Sequence, residues 1–128
     1  MGDLTVLNKI DNKEILNYIE ENSSSVENDI LIIHTQKLHI DNDYVDLYVL
    51  DENGKIKITD FGETFMRVKF RGINPKEIID KLPEKIKKNG ISISEDEIFS
   101  YVDNPNIYYI KNILHTIKEI NKLIKKQE

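Results

Sequence analysis

The chain has 128 residues, enough for one domain that buries about two thirds of its unfolded surface without staples. With 23 acidic and 18 basic residues it carries a net charge of −5, which argues against a generic nucleic-acid surface. The absence of cysteine excludes disulfides, thiolate metal sites and cysteine nucleophiles.

The N-terminal stretch lacks the basic start and apolar core of a signal peptide. No apolar run approaches the roughly 20 residues of a membrane span. A cytoplasmic protein with no membrane partner is therefore expected. Residues 11–21 read as a helix, with Asp11 as N-cap, Glu14 in capping-box register and Ile15, Leu16 and Ile19 as an apolar stripe. Residues 22–25, Asn-Ser-Ser-Ser, read as a flexible polar loop.

Three strands follow, over 29–40, 44–50 and 55–59. Asn53-Gly54 between the last two is a strong hairpin signal, because both residues tolerate the positive φ of a type I′ turn. That turn fixes the register: Glu52 faces Lys55, Asp51 faces Ile56 and Val49 faces Ile58. Val45, Leu47, Val49, Ile56 and Ile58 then share the core face, while Tyr44, Asp46, Tyr48 and Lys57 lie on the other. Residues 60–70 read as a short helix with Asp60 as cap and Glu63 completing a capping box. Over 72–90, Asn74 caps a second helical segment with Pro75 at its first position, Pro83 divides it and Gly90 ends it. Residues 91–93 read as a short strand, and Ser94-Glu95-Asp96-Glu97 as a capping box opening a helix over "EIFSYV". Asn104 and Pro105 open the last helix, where Ile107, Ile110, Leu114, Ile117 and Ile124 form a heptad-like stripe. Ile113 and Ile120 widen it to what a globular core needs, and Asn121 breaks the seam.

The fold expected is α+β: a small antiparallel sheet of three or more strands with one face covered by helices. Residues 30–70, and more loosely those up to 124, carry a string of short motifs. The matching positions are Thr35, Asp43, Asp46, Leu47, Tyr48, Val49, Gly54, Ile58, Thr59, Asp60, Gly62 and Thr64. In these the chain resembles a bacterial and phage family catalogued as domain of unknown function 1828; Gln36 stands where that family usually has proline. The resemblance implies an α+β fold and a setting among prophages, plasmids and other mobile elements. It implies no activity and no catalytic residue.

Four constellations bear on chemistry. Asp60-Phe61-Gly62 spells the magnesium-binding tripeptide of protein kinases, but the glycine-rich loop, strand lysine and catalytic-loop aspartate are missing. Asp41, Asp43 and Asp46 precede and enter the second strand, and Asp60 ends the third. In the hairpin register residue 46 falls beside residue 61, so Asp43, Asp46 and Asp60 form a candidate magnesium or manganese site. Turn and cap chemistry explains the same residues without a metal. Neither His34 and His39, on opposite strand faces, nor His115 has metal-ligand spacing. Tyr44, Tyr48 and Lys57 on the outer hairpin face, with Arg67 and Arg71 nearby, form a candidate binding patch together with Asp46.

The reading favoured by this set, joined to the setting that the resemblance implies, is a non-enzymatic binding protein of a phage or mobile element. It needs no cofactor, and its expected partner is a host protein or complex, such as a defence system that it inhibits. Nucleic acid is the less favoured partner, and the apolar last helix offers a route to a homodimer. The alternative is a magnesium- or manganese-dependent enzyme acting on nucleic acid or nucleotides through Asp43, Asp46 and Asp60.

Overall fold

A computed structural model describes residues 17, 18, 23–103 and 107–127. Of the expected N-terminal helix only Asn17 and Tyr18, both helical, fall among these; Asp11 and Glu14 lie outside the described residues, as do Asn104 and Pro105. Six strands form one antiparallel sheet: β1 (Ser23–Glu27), β2 (Ile30–Leu38), β3 (Tyr44–Glu52), β4 (Lys55–Thr59), β5 (Ser92–Ser94) and β6 (Glu97–Val102). Their order is β1-β2-β3-β4-β6-β5. The helices are α1 (Glu63–Phe70), α2 (Pro75–Lys81), α3 (Glu84–Lys87) and α4 (Ile107–Gln127).

The β3–β4 register is the one that the Asn53-Gly54 turn dictates, with Val49 opposite Ile58, Asp51 opposite Ile56 and Glu52 opposite Lys55. Asn53 and Gly54 sit at φ 56° and 87°, and the Asp51 carboxylate accepts the Gly54 amide at 2.9 Å. Alternation sends Leu31 and Ile33, Val45, Leu47 and Val49, Ile56 and Ile58, and Ile98 and Val102 to one buried face. Phe65 and Val68 of α1, Ile78 of α2, Ile86 of α3 and five isoleucines of α4 complete the same apolar cluster. The helices therefore cover one face of the sheet; among the described residues no helix packs on the other.

Helix α2 starts where the Asn74 side chain accepts the Lys76 amide, with Pro75 at its first position. It stops at Leu82, because Pro83 cannot donate to the preceding turn. On α4, Ile110, Ile113, Ile117, Ile120 and Ile124 are buried within the chain's own core. Asn121, which breaks the stripe, donates through its side-chain amide to the Leu38 carbonyl at 3.1 Å and ties α4 to the end of β2.

Two segments differ from the sequence reading. Residues 23–27 are an edge strand rather than a loop, paired to β2 through the Asn28-Asp29 turn, where both residues have positive φ. Glu95 and Asp96, read as part of a helix cap, are instead the two-residue turn of the β5–β6 hairpin, at φ 51° and 65°. "EIFSYV" is thus a strand, buried at Ile98, Ser100 and Val102 by period-two alternation.

Leu47 is fully buried and Tyr44, three positions earlier on the same strand, is 66% exposed. Leu47→Ala is expected to lower stability by about 2–5 kcal/mol and Tyr44→Ala by under about 0.5 kcal/mol, read from urea unfolding. Equal losses would show that the faces are assigned wrongly.

Candidate functional site

The TDFGET segment lies where β4 hands over to α1. Continuing the alternation Ile56, Ile58, residue 60 turns to the inner face, and Asp60 has no exposed surface. Its Oδ1 accepts the amides of Gly62 at 2.9 Å and Ile98 at 3.0 Å, and Oδ2 accepts the Thr64 amide at 3.2 Å. Its own amide donates to the Ile98 carbonyl. Burial pushes the Asp60 carboxyl pKa up, and the amides of Ile98, Gly62 and Thr64 oppose that by stabilising the anion. Asp60 therefore fastens both the start of α1 and strand β6.

The expected capping box is only half formed. Gly62, at φ 78°, occupies the cap position of α1, and Asp60 reaches the helix amides from two residues upstream. The Glu63 side chain does not close the box; it accepts the Tyr48 hydroxyl at 3.1 Å. Phe61 also takes a left-handed φ, 53°, unusual for a bulky side chain. The Thr59 hydroxyl accepts its amide at 2.9 Å, and its ring lies on Tyr48 with centroids 4.5 Å apart.

A cleft of about 640 Å³ opens beside this turn, lined by His34, Thr35, Gln36, Asp43, Tyr44, Asp46, Glu63 and Arg67. Strand β2 supplies His34, whose Nδ1 stands 2.9 Å from Asp46 Oδ1 on β3. Helix α1 supplies Arg67, which donates to Asp41 at 3.0 Å, to Asp43 at 3.3 Å and to the Glu63 carbonyl at 2.9 Å. One guanidinium thus holds the acidic 41–43 loop against the helix. Burial raises the Tyr48 hydroxyl to a pKa of about 12, reinforced by the Glu63 charge, and burial likewise pushes Glu63 up. At the base of the loop, His39 is buried with no hydrogen-bond partner for Nδ1 among the described residues. Burial, assisted by the Arg67 charge, lowers its pKa to about 4, against the opposing pull of Asp41, Asp43 and Asp46.

Of the residues expected from sequence, the structure brings Asp43, Tyr44, Asp46 and Arg67 around one cleft, with Tyr48 reaching its rim through Glu63. It does not bring Asp60 there. Asp43 pairs with Arg67, Asp46 with His34, and Asp60 spends both oxygens on backbone amides. Among the described residues no group of three or more histidine or acidic side chains is placed to hold a metal ion. Arg71 lies just past α1 and does not line the cleft.

Lys57 belongs to a second cluster on the same outer sheet face. Its amine lies 3.1 Å from Glu97 and 3.6 Å from Glu52, and 4.9 Å from the centre of the Phe99 ring. Burial works against its charge, but Glu97 and Glu52 more than offset that, and its pKa stands above the ordinary lysine value. Thr59 donates to Glu97, and Tyr101 to Glu52. Glu97 and Phe99 escaped the sequence reading because their segment was taken for a helix. Glu63 escaped it as a cap, and His34 because only the β2–β3 pairing brings it beside Asp46.

An α+β chain with an antiparallel sheet, helices on one face and a Thr-Asp-Phe-Gly turn between sheet and helix is thus the class of protein in hand. A family model described as "Domain of unknown function DUF1828" matches residues 35–117, and the chain belongs to that family. No curated protein and no solved structure matches it. No helix among the described residues is long and apolar enough to cross a membrane.

Two measurements follow from these contacts. Asp60→Ala strands three backbone amides, two of them buried, and is expected to cost about 3 kcal/mol or more in urea unfolding, with Asp60→Asn losing less. A stable, fully folded Asp60→Ala protein would contradict the anchoring role. For His39, the unfolded ring ionises near 6.5 and the folded ring near 4. Between these values the unfolded state binds more protons, so stability falls as pH drops from 6.5 to 4, by about 3 kcal/mol in all. His39→Gln is expected to flatten that part of the stability–pH curve; an unchanged slope would assign it to other groups.

Proposed function

We propose that the chain is a non-enzymatic binding protein of a phage or other mobile element, acting on a host protein or complex. Inhibition of a defence assembly is the form of this reading that fits best. The observation that carries it is the outer sheet face, on which no helix packs among the described residues. Half-buried Ile32, Tyr48, Leu50 and Phe99 lie open there, with Tyr44, Phe61 and Tyr101 exposed at its margins. Monomeric proteins rarely leave aromatic side chains gathered on one uncovered face without a use for them, and aromatic anchors dominate protein interfaces. Asp43, Asp46, Glu63, Glu52 and Glu97 border the same face, so its fitting partner presents a basic surface, as nucleic-acid-handling proteins do.

The metal-dependent alternative needs Asp43, Asp46 and Asp60 on one ion. The three amides held by Asp60 weigh against it, because releasing them would unfasten α1 and β6.

The test uses tagged wild-type protein and the Tyr44→Ala/Phe61→Ala variant in host extracts. Wild type is expected to retain one host protein or complex that the variant loses, with little change in unfolding midpoint. The reading is overturned if wild type retains none, yet cleaves nucleotides or nucleic acid with magnesium or manganese in a reaction that Asp46→Asn abolishes.

A further inference from the structure

A second cleft, of about 670 Å³, runs between the end of β2 and helix α4. Its lining is unlike the rest of this acidic chain. Lys37, Lys111, Lys118 and His115 contribute bases, Tyr18, Gln36 and Asn121 contribute neutral polar groups, and none of its described lining residues is acidic. Glu119, the nearest acid along the helix, is engaged by His115 at 3.5 Å and Lys122 at 3.4 Å. Lys37, Lys111 and Lys118 have no ion-pair partner among the described residues. The floor is aliphatic: Leu38 is 45% exposed, Leu114 is half-buried and Ile117 closes the bottom. The Asn121–Leu38 hydrogen bond ties the two walls together at one end of the cleft.

We propose that this cleft docks an acidic, aliphatic peptide segment of a partner protein. Its carboxylates would meet Lys37, Lys111 and Lys118, and its leucine- or isoleucine-type side chains would lie on Leu38, Leu114 and Ile117. Three features select that occupant. Lys111 and Lys118 are two helical turns apart on one side of α4, and the lining from 111 to 121 extends roughly 15 Å along the helix at about 1.5 Å per residue. Cations spread in a row suit a chain of carboxylates, whereas a single small phosphate asks for convergent donors. An aliphatic floor suits peptide side chains; single-stranded nucleic acid stacks its bases on aromatic platforms. The chain as a whole, at a net charge of −5, repels polyanions while this local basic site remains for a short acidic segment.

The inference stands apart from the sheet-face reading, because it rests on α4 and the β2 end rather than on Tyr44 or Phe61. A random short-peptide display library selected on the full chain tests it. Enrichment of peptides combining Asp or Glu with Leu, Ile or Val is expected. Their binding is expected to weaken with added salt and to fall by about tenfold or more in Lys111→Glu/Lys118→Glu. Lys111→Gln/Lys118→Gln serves as the milder variant should charge reversal disturb folding, and Tyr44→Ala/Phe61→Ala is expected to bind these peptides normally. The inference is overturned if no peptides are enriched, if the enriched ones are basic or purely apolar, or if the lysine variants bind them undiminished. It is equally overturned if a single-stranded oligonucleotide or inorganic polyphosphate outcompetes every selected peptide at these lysines.

Discussion

Everything around the candidate surface hangs on one buried carboxylate. Asp60 accepts three backbone amides from two elements, the first turn of α1 and the middle of the β5–β6 hairpin. A buried carboxylate is tolerated only when its lone pairs are satisfied, and here backbone amides satisfy them, with no counter-ion among the described residues. The consequence is geometric. With α1 fixed to the sheet, Glu63 meets Tyr48, Arg67 meets the acidic loop, and Lys69 reaches Asp96 at 2.6 Å. The left-handed Phe61-Gly62 pair is the backbone cost of this handover. It leaves Phe61 packed at a tilt against Tyr48 and 44% exposed on the rim of the outer face.

The same anchor explains why an acidic cluster in sequence is not an acidic cluster in space. Asp43 and Asp46 precede Asp60 by one hairpin and are engaged separately, Asp43 by the Arg67 guanidinium and Asp46 by a hydrogen-bond contact with His34. What remains on the outer face is a surface of half-open aromatic and aliphatic side chains bordered by carboxylates. That arrangement has the makings of a contact surface, and it gives the proposed binding role a physical location.

Local patterns that carry their own mechanism were legible in the sequence. Asn53-Gly54 set the β3–β4 register residue by residue, Pro83 split the helical segment, and the isoleucine spacing marked the buried side of α4. Strand β1 was not legible, because Ser23-Ser24-Ser25 has no apolar alternation; its pairing with β2 defines it. The β5–β6 turn misled for another reason. Ser94-Glu95-Asp96-Glu97 satisfies the composition of a helix cap, and the competing signal was the period-two run of Ile98, Ser100 and Val102 after it. The role of Asp60 was half legible: a cap could be read locally, but its bond to Ile98 spans 38 residues. The cleft partners His34 and Asp46 likewise meet only through the β2–β3 pairing.

The central question is whether Asp60 is a backbone anchor or a metal ligand. Manganese titration followed through amide resonances in nuclear magnetic resonance separates the two directly, because a bound paramagnetic ion broadens the nuclei around it. The account predicts that the amides of Gly62, Thr64 and Ile98 keep their line widths at manganese levels that broaden only exposed surface carboxylates. Selective early broadening of those three amides, together with those around Asp46, would contradict it.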